Sequence, residues 1–333
     1  MTTIDLHLPT SWNGCTTADL EAIAAAIIQE QQRTDRYHPF DWSRVKLAVV
    51  LAINAMTVVA AAGASGRNAP ARNTAAGRVV AGSASDIGAS GDEYLVRRPQ
   101  DRAPWPITTG QLLALTERLA FLDDPKANRT IFAFPYPTLD VRCKKEEGRL
   151  LSHQPSAIIH LLGPAPLLDG YTWQEYRYLT DWMQEYMRCA NALAQSKMED
   201  GRGKAALENA RNEFLAVLFK PATSAISPLT SDIFAGFSPI KWQVILFWWS
   251  SLMGLLQQKF PRVFKPQPVG RDRQQKKNET PWDFYNRVTA TIQKYIGGLS
   301  EHDVNAATYG TILQQLDMMA QEAQEMEKLK NKK

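Results

Sequence analysis

Cysteine is scarce in this chain. Its 333 residues hold three, Cys15, Cys143 and Cys189, with no Cys-x-x-Cys pair among them. An odd number this far apart supports neither a disulfide framework nor a zinc ribbon, and a reduced, intracellular setting is the simpler reading. Long apolar runs are lacking too. The two richest stretches, 45–62 and 240–264, are interrupted by Asn54 and by Gln243, Ser250, Ser251 and Gly254. Neither offers the roughly twenty uninterrupted apolar residues of a membrane span, so no membrane is expected. The opening MTTIDLHLPTSW has no basic segment leading into an apolar one, so no secretory signal is expected. Charge is nearly balanced: 38 Lys and Arg against 34 Asp and Glu leave +4. That balance, and the lack of aromatics among the basic residues of 271–277, argue against a nucleic-acid partner.

Chemical motifs are missing as well. No Gly-x-Ser-x-Gly elbow occurs. Gly201, Gly203 and Lys204 have neither the full spacing of a phosphate loop nor its following hydroxyl. Cys143, His153 and His160 fit no metal-ligand spacing, and the acid pairs Asp123/Asp124 and Glu146/Glu147 are adjacent, so they diverge on a helix. No catalytic, cofactor or metal residue is assigned, no cofactor is expected, and the chain is not read as an enzyme.

Helical cores are what the sequence does contain. In Ile240–Phe264, Trp242, Trp248 and Trp249 join Val244, Ile245, Phe247, Leu252 and Leu256, and no polar stripe is wide enough to face water. This helix is expected to be a buried hub, stopped before Pro261. Helix starts repeat one device, a hydroxyl followed three residues later by an acid or amide: Thr16/Asp19, Thr108/Gln111, Thr172/Glu175, Thr280/Asp283 and Ser300/Asp303. Each predicts a separately capped helix, the last running on to the chain end.

Strands are expected to be few. Ile4, Leu6 and Leu8 alternate with polar residues like an edge strand. The run at 45–62 reads as a buried helix over Val45–Ala55 and a strand over Met56–Ala60. Residues 61–92, rich in Ala, Gly and Ser, read as a long mobile loop between MTVV and EYLVRRP, the two arms of a hairpin. IFAFPYPTLDVRC at 131–143 reads as an extended connector or edge strand, and SAIIHLLG at 156–163 as a short helix. The fold class is therefore mainly α: a multi-helix bundle around a buried Trp-rich helix, with a small β-hairpin in the N-terminal half. The boundary is placed at 144–148, between an N-terminal part of 1–143 and a helical bundle of 149–333.

Two helical faces are candidates for partner binding. One is Leu316, Met319, Ala323 and Met326 on the last helix, where spacing alternates between three and four as in a coiled-coil seam. The other is Trp173, Tyr176, Trp182 and Tyr186 on the aromatic helix, where Tyr176, Leu179, Met183, Tyr186 and Met187 form one stripe and Arg177, Asp181 and Arg188 are expected to face away from it.

The phrases LPTSW (8–12), YLVRRP and WPITTGQL (94–112), FLDDP (121–125), GYTWQEYR (170–177), FLAVLF (214–219) and TATIQKY (289–295) carry a resemblance over most of the chain. Together they resemble a family encoded by bacteriophages and prophages near tail-assembly genes. The resemblance implies a non-enzymatic virion-structural or tail-assembly protein, or an assembly chaperone. Its partners would be other phage structural or assembly proteins or further copies of itself, met in the host cytoplasm during assembly or in the virion. No functional residue carries over. The alternative reading is a nucleic-acid-binding accessory protein of a mobile element.

Overall fold

Four of the five capping boxes form as the spacing demands. In the computed structural model, Thr16, Thr108, Thr172 and Ser300 each accept the backbone N–H of the residue three further on, and that residue's side chain accepts the cap's own N–H in return. The fifth, at Thr280, lies outside the described residues, which are 6–34, 39–61, 93–101, 103–124, 131, 133–142, 158–195, 201–222, 229–264 and 281–330. The helices are α1 (Thr17–Arg33), α2 (Trp42–Ile53), α3 (Thr109–Glu117), α4 (Trp173–Ala194), α5 (Gly201–Leu218), α6 (Pro239–Lys259), α7 (Pro281–Ile296), α8 (Glu301–Ala306) and α9 (Tyr309–Lys330). The expected mainly helical class is what the chain adopts.

The chain divides into two units, 1–131 with 238–251, and 132–237 with 252–333. The division falls earlier than the expected 144–148, because the segment 138–142 pairs as a strand with residues that follow it. The Trp-rich α6 gives its first half to one unit and its last turns to the other.

In the first unit, the apolar run at 45–62 breaks where polar chemistry intervenes. Asn54 closes α2, its amide donating to the Val50 carbonyl at 3.0 Å and to the His7 carbonyl at 3.1 Å. Ala55 takes φ 50°, and the Met56 N–H reaches back to the Leu51 carbonyl at 2.7 Å, a left-handed helix ending. The strand β1 (Thr57–Ala61) follows and pairs antiparallel with β2 (Glu93–Arg97), the two arms of the expected hairpin; the long loop between them lies outside the described residues. A third strand, β3 (Trp105–Thr108), joins β2. Its capping Thr108 doubles as the end of the strand and the start of α3. Residues 6–9 belong to no strand, so the expected N-terminal edge strand does not extend into the described residues.

The core of this unit gathers Ile23 and Ala24 of α1, Val49 and Val50 of α2, Val96 of β2 and Leu119 with Val244 and Ile245 of α6, each essentially inaccessible to solvent. Trp12 sets its ring 5.4 Å from both Phe121 and Phe247. Fully burying a side chain of this size contributes about 1.5–3 kcal/mol, so the hub reading of Trp242, Trp248 and Trp249, all buried, holds at the level of packing.

The second unit contains a sheet in which β5 (Ile158–Leu162) lies between β4 (Thr138–Arg142) and the two-residue β6 (Lys220–Pro221), all antiparallel. The segment read as a short helix, SAIIHLLG, is thus the central strand. Burial alternates along it, with Ile159 and Leu161 inside and Ile158, His160 and Leu162 outside. A short apolar run with two β-branched residues, closed by Gly163-Pro164, satisfies a sheet better than a helix. Gly163 is required where it stands: a Cβ there would sit 2.6 Å from the Phe134 ring and closer still to the Tyr136 carbonyl.

In the same unit α4 packs against α5, with Leu179, Phe214, Leu215 and Leu218 buried. The helix α5 already begins at Gly201, so the Gly201–Lys204 segment that lacks phosphate-loop spacing is its first turn. The last helix is two. Ala307 leaves the helical conformation, and Thr308 pairs with Thr172 in an antiparallel bridge, with Trp173 N–H donating to the Ala307 carbonyl at 2.7 Å and Tyr309 N–H to the Tyr171 carbonyl at 3.1 Å.

Candidate interaction surface and adjoining cavity

The helix α9 is anchored at its start and open at its end. Tyr309, Ile312 and Leu313 are buried. Tyr309 stacks on Tyr176 at 4.9 Å between ring centres, and Tyr176 stacks on Trp173 at 5.8 Å. Two turns later the Arg262 guanidinium reaches Asp317 at 2.8 Å, and the Tyr295 hydroxyl, at the end of α7, donates to Glu322 at 2.7 Å. Past that tie the apolar side chains lose their cover, Met326 being 58% and Leu329 60% exposed; Met318, between the two ties, is 45% exposed.

The residues expected to bind partners therefore divide. Leu316 and Met319 are half-buried, whereas Ala323 and Met326 are exposed on the open end of α9. On α4, Trp173 and Tyr176 are buried at 1% and 2% exposure, so they belong to the core and not to a surface. Trp182 and Tyr186 are half-buried farther along the same helix. Arg177 is also the reverse of its expected placement. It is buried, donating from Nη1 to the Asn305 amide oxygen at 3.2 Å and from Nη2 to that of Asn286 at 2.9 Å, which joins α4 to α8 and α7. Burying a guanidinium is costly unless it is hydrogen-bonded, and these two bonds offset part of that cost. Asp181, one turn on, is half-buried, and burial raises its pKa while Arg177 opposes the rise. Met318, Leu329 and the exposed pair Tyr295 and Ile296 also lie on this end of the unit and were not singled out from sequence. The seam alternation of three and four runs from Met326 to position 330, so spacing did not point to Leu329.

Near the start of α9 lies a cavity of about 780 Å³, lined by the turn Pro166–Gly170, by Leu255, Leu256, Lys259 and Phe260 at the end of α6, and by Thr308–Gly310. Its wall includes a strained turn. Leu167 and Leu168 take φ 57° and 55°, a left-handed conformation that branched side chains seldom adopt and that costs on the order of 1–3 kcal/mol per residue. Leu168 is fully buried, and the Tyr309 hydroxyl donates to the Leu167 carbonyl, so both packing and a hydrogen bond hold the turn. Burial and the nearby Asp169 push the Tyr309 hydroxyl up to about 12. It is a fixed donor at any ordinary pH.

No protein-family model matches the chain, and neither a curated protein nor a solved structure is detectably similar to it. The side chains themselves must carry any functional argument. Other clusters carry less. A second cavity of about 380 Å³ beside α2 and α3 has its cations already engaged, Arg44 by Glu30 and Asp41 and Lys46 by Asp123. The His160 ring meets Asp140 across the β4–β5 pairing at 2.7 Å, but both are largely exposed and neither touches a hydroxyl or thiol among the described residues. Cys143 and His153 lie outside the described residues. Among the described residues no group of three or more His, Cys, Asp or Glu side chains could hold a metal. The two described thiols are poor nucleophiles: burial, with Asp19 adding to it, pushes Cys15 up to about 12, and burial raises Cys189 as well. No described helix is long and apolar enough to cross a membrane.

Proposed function

We propose that this protein works without chemistry of its own, by protein–protein contact in the assembly of a phage virion or tail, and that the open end of α9 lays its apolar stripe against a helix of a partner assembly protein. The observation that carries the reading is the contrast along one helix. Ile312 and Leu313 are buried in the protein's own core, while Met326 and Leu329 stand 58% and 60% exposed beyond the Asp317 and Glu322 ties, and Met318, between the two ties, is 45% exposed. Exposed apolar side chains recurring along a helix mark an interaction face, and an amphipathic helix is read by its partner through such residues. The assembly role adds what the resemblance of the quoted phrases implies.

The test is a photo-crosslinking residue at position 326, with position 117 on the exposed side of α3 as control, in cells producing particles. A discrete adduct to one particle protein at 326 and not at 117 supports the reading. Equal, diffuse labelling at both positions, or none at 326, rejects it.

A further inference from the structure

We propose that the cavity between the Pro166–Gly170 turn, the end of α6 and the start of α9 binds a small zwitterion with an apolar body: a free apolar amino acid or a short apolar peptide with both termini uncapped. The site is independent of the contact face proposed above.

Its size, about 780 Å³, lies within the range of small-molecule sites, and its lining is mostly apolar, from Leu167, Leu255, Leu256, Phe260 and the Tyr309 ring. Two charges of opposite sign stand among these walls, Asp169 and Lys259. Neither forms an ion pair with any described residue, and they do not pair with each other. The Lys259 ammonium rests 5.4 Å from the centre of the Phe260 ring, and the Asp169 carboxylate accepts no hydrogen bond from a described residue. The second cavity differs in this respect, since its lysine and arginine are already matched to carboxylates. A ligand complementary to this lining carries a carboxylate for Lys259, an ammonium for Asp169 and an apolar body for the leucine and aromatic walls, which is the chemistry of an apolar amino acid or a short apolar peptide.

The backbone keeps the site open. Leu167 and Leu168 hold consecutive positive φ angles, which place the Leu167 side chain 39% exposed while Leu168 is buried beneath it. The Tyr309 hydroxyl fixes the Leu167 carbonyl, and the stack of Tyr309 on Tyr176 fixes the hydroxyl. Strain kept in place by buried neighbours is a common property of ligand clamps.

Calorimetric titration of the full chain decides the matter, with three probes: leucine, Leu-Leu-Leu with free termini, and N-acetyl-Leu-Leu-Leu-amide. One of the two free-terminus probes is expected to bind saturably at one site, and which of them binds tells amino acid from peptide. Capping both ends is expected to weaken the peptide on the order of fivefold, and Lys259→Glu or Asp169→Lys to weaken the free probe about threefold each, since both charges are solvent-accessible. The double exchange Lys259→Asp with Asp169→Lys is expected to recover part of the loss. Both side chains are exposed, so these variants leave the fold intact, which circular dichroism verifies. Absence of saturable binding by either free probe overturns the proposal. Equal binding of the capped peptide also overturns it, in favour of an internal segment of a partner chain. The photo-crosslink at position 326 is expected to persist in the Lys259 and Asp169 variants, so failure here and failure of the contact reading are told apart.

Discussion

Thr172 and Thr308 face each other across a single antiparallel bridge, 136 residues apart in sequence (308 − 172), so the N-cap of α4 and the residue before α9 form one hydrogen-bonded unit. Thr172 also accepts the Glu175 N–H at 3.2 Å, and Glu175 returns an oxygen to the Thr172 N–H at 2.8 Å. The capping box therefore fixes both the start of α4 and the backbone that launches α9.

Replacing the cap tests this. Thr172→Ala leaves the bridge's backbone groups in place but removes the side-chain acceptor, and is expected to cost about 1 kcal/mol in chemical denaturation. Thr172→Ala and Glu175→Ala are expected to be non-additive, because each removes half of the same box. Strict additivity in a double-mutant cycle would show that the box contributes nothing as a unit.

At Gly163 the neighbours leave no room for a methyl group, with the Phe134 ring 2.6 Å from a Cβ built there. Gly163→Ala is expected to destabilise by roughly 1–3 kcal/mol, the usual range for forced overpacking. The double variant with Phe134→Ala is expected to remain unstable, since the Tyr136 carbonyl still obstructs. A neutral Gly163→Ala in a urea melt would contradict the packing described here.

Arg177 offers a sharper case, because its fork spans two amide oxygens on different helices. Arg177→Leu is expected to lose about 2 kcal/mol, in the range for hydrogen bonds to a charged group. Arg177→Lys is expected to recover little, since a single ammonium on a flexible stem does not reproduce the planar fork. Full rescue by lysine would mean that charge alone matters.

The acid side of the stability profile involves Asp101. Hydrogen bonds from the Arg98 side chain and backbone, with one from the Trp105 ring, hold its carboxyl down to about 2. A depressed folded value contributes stability above the unfolded value of about 4, and that contribution disappears as pH falls from there through about 2. An NMR titration is expected to place the Asp101 midpoint near 2, and Asp101→Asn to flatten the stability change in that window. A midpoint at the ordinary carboxylate value would remove the effect.

Local devices were the legible part of the sequence. Four capping boxes sit where Thr or Ser precedes Asp, Gln or Glu by three, because the chemistry is complete within four residues. The hairpin β1–β2 was readable from its arms alone. What depended on distant neighbours was not: β6 is two residues long and exists only against Leu161 and Leu162, and α8 and α9 separate at Ala307 because Thr172 pairs with Thr308.

The candidate site shows the same division. Periodicity grouped Leu316, Met319, Ala323 and Met326 on one side of α9, and the outer two are indeed exposed. Periodicity does not tell which face of α4 turns inward, because apolar and aromatic residues occur on more than one side, and Trp173 and Tyr176, expected on a contact face, are buried. The cavity was invisible for a plainer reason: its walls come from 166–170, 255–260 and 308–310, which meet only in the folded chain. Of the phrases quoted above, WPITTGQL and GYTWQEYR contain capping boxes, and the aromatics of the second are buried, so they report fold more than contact.

The contact role of α9 is tested most directly by size-exclusion chromatography with light scattering on the crosslink-identified partner mixed with the wild-type chain or with Met326→Glu/Leu329→Glu. Both side chains are exposed, so the double variant is expected to keep its thermal stability to within about 0.5 kcal/mol per site. The wild type is expected to elute with the mass of a complex and the variant with the mass of the free chain. A complex of unchanged mass and affinity in the variant would contradict the role assigned to the open end of α9.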